Sequence, residues 1–402
     1  MSHPAPVNLL DPGFKANPFP FYARIRAEAA VYPTKIEDGR TAYLVTRYDD
    51  VVSVLKDPRF IKDKTTLPAE QQAKQPWVPG FVKPLERNML DVDEPDHRRL
   101  RNLVHQVFTP RVVEDMRERV QQIADDLLAK VAASGRMDLV RDYALPLPLT
   151  VIAELLGIPE EARPRFHRFS KAMMETTSPV KMLLAIPQFY FMLRHLRALI
   201  AERRARPRND LLTALVQAEE EGSHLSEDEL LAMIVLLTVA GHETTVNLIA
   251  SGTLALLQHP RELERLRQDP TLLKSAIEEL LRFTNPVETA TERYAREDIE
   301  LGGVTIPRGE LVLVVLASAN RDPAQFVDPD KLDLTRDPNR HVAFGQGIHY
   351  CLGAPLARLE GQIAIATLLR TLPDLRLDVA PHTLRWRPTY VVRGLEALPV
   401  AF

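Results

Sequence analysis

Residues 344–358 read F-G-Q-G-I-H-Y-C-L-G-A-P-L-A-R and hold the only cysteine of the chain, Cys351. Gly345, Gly347 and Gly353 crowd it, and glycine is used where backbone must turn tightly or approach another group closely. After Gly353 the run A-P-L-A-R-L-E-G-Q-I-A-I-A-T-L-L-R has helical spacing, with Pro355 tolerated in the first turn. Cys351 therefore sits where a glycine-lined loop enters a helix. Unpaired N–H groups and the helix dipole favour an anion there. A thiolate is that anion, and it is the form of cysteine that ligates metal. Taken alone, Cys351 also reads as a small buried hydrophobe, the usual fate of a free cysteine.

The chain has 402 residues, is 45% apolar and carries a formal net charge of −3. Single cores usually stop growing at roughly 250–300 residues. Yet no Gly/Ser-rich or charge-run linker divides this chain, so residues 1–402 are expected to form one continuous domain. The charge gives no polyanion-binding signal, so nucleic acid is not an expected partner. One cysteine excludes an intrachain disulfide and fits a reducing cytoplasm. The first residues carry no charged-then-apolar signal pattern. The longest mainly apolar run, Leu230 to Gly241, is shorter than the roughly twenty residues of a bilayer span, so a buried helix and no membrane anchor are expected.

Taken in order, the pattern predicts a helix over Pro18–Ala30, a strand over Thr41–Thr46 and a short helix over Asp49–Lys56. Residues 61–90, rich in proline, read as a long surface loop. A helix follows over Glu94–Phe108, where His97 and Arg101 share a face and offer donors to an anion such as a ligand carboxylate; a solvated basic face is the plainer reading. Helices are expected near 110–132, 143–156, 160–176, 188–205 and 208–221, with Thr177–Pro187 a mobile separator. Ser226 and Glu229 form a capping box that opens the longest helix, which meets no proline before Pro260 and would run about 50 Å. In its middle, Glu243 and Thr244 follow an apolar segment, Ala240 and Thr244 share a face, and Gly241 removes a side chain beside them. That opens a groove for a small ligand; alternatively Thr244 bonds back to its own helix and Glu243 faces solvent. Leu272–Phe283 is another helix, placing Glu279 and Arg282 at ion-pair spacing. Val287–Arg293 reads as extended, Gly302–Pro307 and Leu311–Val315 as strands around the Pro307-Arg308-Gly309 turn, Ala319–Leu334 as turn-rich, and Leu395–Ala401 as a final strand. The fold class is mainly α with small β-sheets.

Three motifs, in this order, resemble those of bacterial cytochromes P450, the soluble haem-thiolate monooxygenases. A-G-H-E-T (Ala240–Thr244) is similar to the family's oxygen-activation turn, Glu279 to Arg282 to its E-x-x-R, and F-G-Q-G-I-H-Y-C-L-G to its cysteine loop. The loop is highly specific, E-x-x-R weak alone, and the resemblance spans nearly the whole chain. It implies the P450 fold, with haem b (iron protoporphyrin IX) between the long central helix and the cysteine-loop helix. It implies that Cys351 is the metal ligand, that Phe344 packs beside it, and that Phe344, Gly345, Gly353 and Ala240 belong with Cys351 to the haem-binding residues. His97, Arg101, Arg293 and His341 match positions that hold the haem propionates. Thr244 would hydrogen-bond dioxygen or its water, and Glu243 would relay protons. P-D-K-L-D-L-T-R supplies Arg336 as the third member of the E-x-x-R cluster, but with Leu332 where the family usually has phenylalanine, which puts local packing in question.

The resemblance further implies insertion of one oxygen atom from O2 into a hydrophobic small molecule, free or carrier-bound, of the sort met in secondary metabolism. Electrons would come from a ferredoxin or flavodoxin with an NAD(P)H-dependent reductase, since one cysteine and no flavin segment leave no such domain here. Arg358 and Arg99 are candidate docking residues. Segments 61–90 and 177–190, with Leu236, Val239, Ala240, Pro286, Val287, Glu288 and Val391, would line the substrate pocket. A peroxide-driven peroxygenase, a non-catalytic haem module recruiting a carrier-bound substrate, and a haem-free helical protein are the alternatives.

Overall fold

The computed structural model describes residues 7–37, 39–75, 79–166, 168–169, 179–220 and 222–402, without the side chains of 179–182, 219 and 220. It is mostly helical with small sheets, as the periodicity predicts. Two compact units emerge, each assembled from separate stretches: one from the residues up to Gln75, Ala124–Ala144 and Thr244–Phe402, the other from Pro76–Ile123 and Leu145–Glu243.

The first unit is organised on a five-stranded sheet in the order Val31–Lys35, Thr41–Val45, Leu311–Val314, Arg293–Ala295, Phe60–Ile61. The central strand L-V-L-V is buried at every position. Its alternation sends Val312 and Val314 to one apolar cluster and Leu311 and Leu313 to another, so both faces are covered. The C-terminal strand Pro399–Ala401 pairs with Arg136–Asp138 and with Arg376–Leu377. Val304–Ile306 pairs back on Ile299–Leu301 rather than across the Pro307–Gly309 turn, because Gly302 and Gly303 adopt φ of 58° and 79° and make the tighter reversal.

A buried charge cluster ties this unit together. All five N–H bonds of Arg282 find acceptors: Nε and Nη2 donate to Glu279 at 2.7 and 2.8 Å, Nη1 to the carbonyls of Asn320 and Pro329, and Nη2 also to Lys331 O. Arg336 Nε reaches the same carboxylate at 3.1 Å, as expected, and Asn339 Nδ2 and the Asp333 N–H complete it. Leu332 is buried in an apolar cluster with Leu281 and Leu334, so the smaller side chain packs without difficulty.

The second unit is mainly helical, and across both units several expectations need correction. Residues 179–205 form one helix with Pro187 inside it, where a proline was expected to mark a boundary. Phe189, Met192, Leu193, Leu196 and Ile200 bury one face of that helix, and their packing outweighs the single hydrogen bond Pro187 removes. The expected separator Thr177–Pro187 is therefore helical from Pro179 on, and Thr177 and Ser178 lie outside the described residues, as do 167 and 170–176 of the expected 160–176 helix. Residues 61–90 are not a plain loop: Lys64–Thr66, Ala69–Ala73 and Lys83–Glu86 are short helical turns, and 76–78 lie outside the described residues. The expected 110–132 helix is two, Pro110–Asp115 and Arg117–Val131.

Candidate active site

The cysteine loop is closed by its own backbone: the Cys351 N–H donates to Phe344 O at 3.0 Å. Gly345 and Gly347 have φ of 71° and 72°, the left-handed region in which a side chain is strained. Gly347 has a second constraint, because a Cβ there would stand 2.6 Å from Leu55 O. The loop is thus pressed on the end of helix Tyr48–Lys56. Gly353 is different. It has φ of −79°, and a Cβ would meet the Cys351 sulfur at 3.9 Å, an ordinary contact. It begins helix Ala354–Thr371, the cysteine helix, as expected. The thiol itself is exposed, not packed as a small hydrophobe.

Behind the loop, the Phe344 ring lies 4.4 Å from the Arg358 guanidinium. Arg358 grips Glu278 with two hydrogen bonds of 2.7 and 2.8 Å, and His341 Nε2 adds a third at 3.0 Å. Burial pushes the Glu278 carboxyl up, but these donors win and hold it down at about 2. His341 Nδ1 accepts the Ala343 N–H, so both ring nitrogens are engaged by protein groups and the ring faces Glu278. Arg293, buried at the start of its strand, donates to Thr291 O.

The central helix runs Glu227–Gln258, 32 residues or about 48 Å. The capping box forms as predicted: Ser226 N donates to Glu229 Oε2 at 2.9 Å and Glu229 N to Ser226 Oγ at 3.2 Å. This is the one helix long and apolar enough to cross a membrane among the described residues, and 67% of its most apolar window is buried, as in a core helix. Its buried surface is interrupted by one open strip: Ala240 is exposed, and Leu236, Val239 and Thr244 are half-buried. Glu243 and His242 point away from water, and the His242 ring bonds Thr238 O at 2.7 Å. Glu243 is therefore not a solvent-facing residue. Gly241 has a packing reason as well, since a Cβ would meet Ile152 at 3.3 Å.

His97 and Arg101 lie one turn apart on helix Asp96–Val107 of the second unit, with His97 buried and Arg101 half-buried. Ala240 and Glu243 also belong to that unit, whereas Thr244, Arg293, His341, Phe344, Gly345, Cys351 and Gly353 belong to the first. Arg99 pairs with the capping Glu229. Arg99 and Arg358 are thus both neutralised internally, which weakens them as docking residues. Glu288, expected to line a pocket, is instead a buried ion-pair partner of Lys15 and accepts from Tyr22 OH at 2.6 Å. Its backbone N–H donates to Val391 O at 2.8 Å, which does bring two of the expected lining segments side by side. Sequence reasoning missed Glu360 on the cysteine helix. It is fully buried, the Thr245 hydroxyl faces it without a well-formed hydrogen bond, and burial raises its carboxyl to about 8. The signal was an acid inside the apolar run L-A-R-L-E-G-Q-I-A-I.

The family profile described as Cytochrome P450 matches residues 195–373. The polyketide biosynthesis cytochrome P450 PksS of Bacillus subtilis (strain 168) is 46% identical over 393 residues, 96% of this chain and 96% of that protein. The chain belongs to the cytochrome P450 family. The cytochrome P450 monooxygenase PikC of Streptomyces venezuelae is 47% identical over 98% of this chain and 93% of its own length. Among solved structures, the myxobacterial cytochrome P450 CYP267B1, crystallised with myristic acid, superposes with a TM-score of 0.94 at 45% identity, covering 98% of each chain. Cytochromes P450 are haem-thiolate enzymes with haem b as cofactor. The residues of this P450 fit that group: an exposed thiol at a helix start, a buried Arg293 guanidinium, and a helix face left open along Ala240 and Thr244.

Proposed function

We propose that this P450 inserts one oxygen atom from O2 into an apolar organic molecule of polyketide or fatty-acyl type, whether free or carrier-bound, with its two units acting as one catalytic domain. The exposed Cys351 thiol, set by the Phe344 carbonyl at the head of the cysteine helix, is the observation that carries the reading. The relatives' names, one for polyketide biosynthesis and one crystallised with a fatty acid, support the substrate class. Haem b supplies the oxygen-activating iron when bound. Cys351 holds it as thiolate, which the helix start favours. His97, Arg101 and Arg293 neutralise its propionates, and His341 joins them only by releasing Glu278. The open strip at Leu236, Val239 and Ala240 seats the apolar substrate. Thr244 positions the proton donor at the strip, and the buried Glu243 carboxyl moves protons to it, while the Phe344 carbonyl holds the Cys351 backbone in place. Electrons arrive from a separate ferredoxin or flavodoxin and its NAD(P)H-dependent reductase, in the cytoplasm.

A ligand screen on the ferric protein, followed by turnover under isotope-labelled dioxygen, tests this. Fatty acids and macrolide-like lactones should shift the haem band to high spin, and the labelled oxygen should enter the product. Thr244→Ala should lower product per electron consumed at least tenfold, a general acid–base contribution. Cys351→Ser should lose the thiolate spectrum. Product that forms only with peroxide, and without label from dioxygen, would replace the monooxygenase reading with a peroxygenase.

A further inference from the structure

A cavity of about 420 Å³ opens in the first unit, lined by none of the residues assigned to the haem site. Two arginines dominate its wall, Arg321 and Arg393, each more than nine-tenths buried. Arg321 donates Nη1 to Asp330 at 2.8 Å and Nη2 to Phe283 O at 2.9 Å, but its Nε has no acceptor. Arg393 donates Nη2 to Ala16 O at 3.1 Å, and its Nε too is buried without an acceptor. The Ser251 hydroxyl, on the same wall, is the third buried polar group lacking a partner. All three can donate, and among the described residues no aspartate or glutamate lines the cavity.

The neighbouring charges do not satisfy these donors. Glu288, the buried carboxylate nearest Arg393 in electrostatic terms, is already engaged by Lys15 and Tyr22. Asp330 meets Arg321 through one nitrogen and is itself largely in solvent. Burial pushes the Arg393 guanidinium down to about 10, so it stays charged at neutral pH in a setting that disfavours an uncompensated cation. The rest of the wall is aromatic. Arg393 lies 3.7 Å over the Trp386 ring, and Arg321 lies 3.8 Å from the Phe19 ring and 4.1 Å from that of Phe283. These rings hold each guanidinium in place by cation–π contact, while its unpaired Nε–H still lacks an oxygen ligand. The volume falls in the range of small-molecule sites, about 300–1,000 Å³.

We propose that this cavity is a second small-molecule site, which takes an organic carboxylate with an apolar body. The carboxylate meets the Nε–H groups of Arg321 and Arg393 and the Ser251 hydroxyl, and the body packs on Trp386 and Phe19. The inference is independent of the haem chemistry, and the test separates the two.

Trp386 is one of two tryptophans, the other being Trp77. Holoenzyme carrying Trp77→Phe and grown on 5-fluorotryptophan reports the cavity through a single fluorine NMR signal, with the haem band read in parallel. Octanoate should shift that signal saturably at concentrations where octanamide, of equal shape and no charge, leaves it in place. Arg393→Gln should weaken the response at least tenfold. Gln258→Phe, at an exposed position on the cavity wall, should weaken it while the haem spectrum stays intact, which covers the case that Arg393→Gln does not fold. No shift, an equal shift with octanamide, a response that survives Gln258→Phe, or a shift that appears only as the haem band moves would each overturn the proposal.

Discussion

Arg282 and Arg393 are both buried arginines of the same unit, yet they are treated in opposite ways. Arg282 has an acceptor for every N–H and a carboxylate, Glu279, shared with Arg336. Arg393 has one carbonyl and a tryptophan face. The first arrangement is closed: nothing can be added without breaking a bond. The second keeps donor capacity in reserve. A buried cation therefore has to be read with its partners counted, since burial alone does not separate a structural clamp from a receptive wall.

Of the two arginine sites, the clamp is the more costly to disturb. Glu279→Ala would leave two arginine charges facing each other without their carboxylate, and should lower stability by about 3–5 kcal/mol, read by denaturant unfolding and by haem content of the purified protein. A loss under about 1 kcal/mol would mean that water replaces the carboxylate easily, and the two regions would then be alike.

Glu360 sharpens the contrast from the acid side. Burial raises its folded pKa to about 8, while the unfolded carboxyl titrates near 4.5. Between those values the native state keeps a proton that the unfolded state loses, so stability falls as pH rises, by about 1.4 kcal/mol per pH unit. Glu360→Gln removes that fall. From pH 6 to 8 the variant should gain roughly 2–3 kcal/mol on the parent, seen as diverging urea midpoints; parallel midpoints would show that the acid is not held protonated.

Smaller effects follow. Arg336→Ala removes one of the two cations on Glu279 but leaves Arg282 bound, so about 2 kcal/mol is expected by thermal unfolding. Arg393→Gln removes a charge that burial already disfavours, and its cost should stay below about 1 kcal/mol. If Arg393→Gln proved as damaging as Glu279→Ala, the cavity arginine would be a clamp too.

How far the chain could be read from its letters depends on the range of the interaction. Local features came through: the Ser226–Glu229 capping box, the i, i+3 spacing of Glu279 and Arg282, and the helix start after Gly353 are written within a few residues. Even Arg336 was legible, because a family pattern marks it. Proline was misread at residue 187, because the apolar face of residues 189–200 decides that helix and a breaker rule does not weigh it. Glu288 was misread for a different reason: its partner, Lys15, lies 273 residues away, and no spacing rule reaches that far. The Arg321–Arg393 cavity was invisible on the same ground, since its wall draws on residues from Ala16 to Arg393. Glycine gave a mixed lesson. Gly347 is required by both φ and the Leu55 carbonyl, whereas Gly353, in the same loop, is required by neither.

The Lys15–Glu288 pair also sets a schedule. Lys15 leaves the ribosome early, but its ammonium can be buried only once Glu288 has been made, 273 residues later. At about 5–20 residues per second that interval is roughly 15–55 s. During it, the N-terminal helices must stay open or find temporary cover. Nascent chains stopped before residue 288 should be cut readily around Phe14–Tyr22, and chains released beyond it should become resistant there.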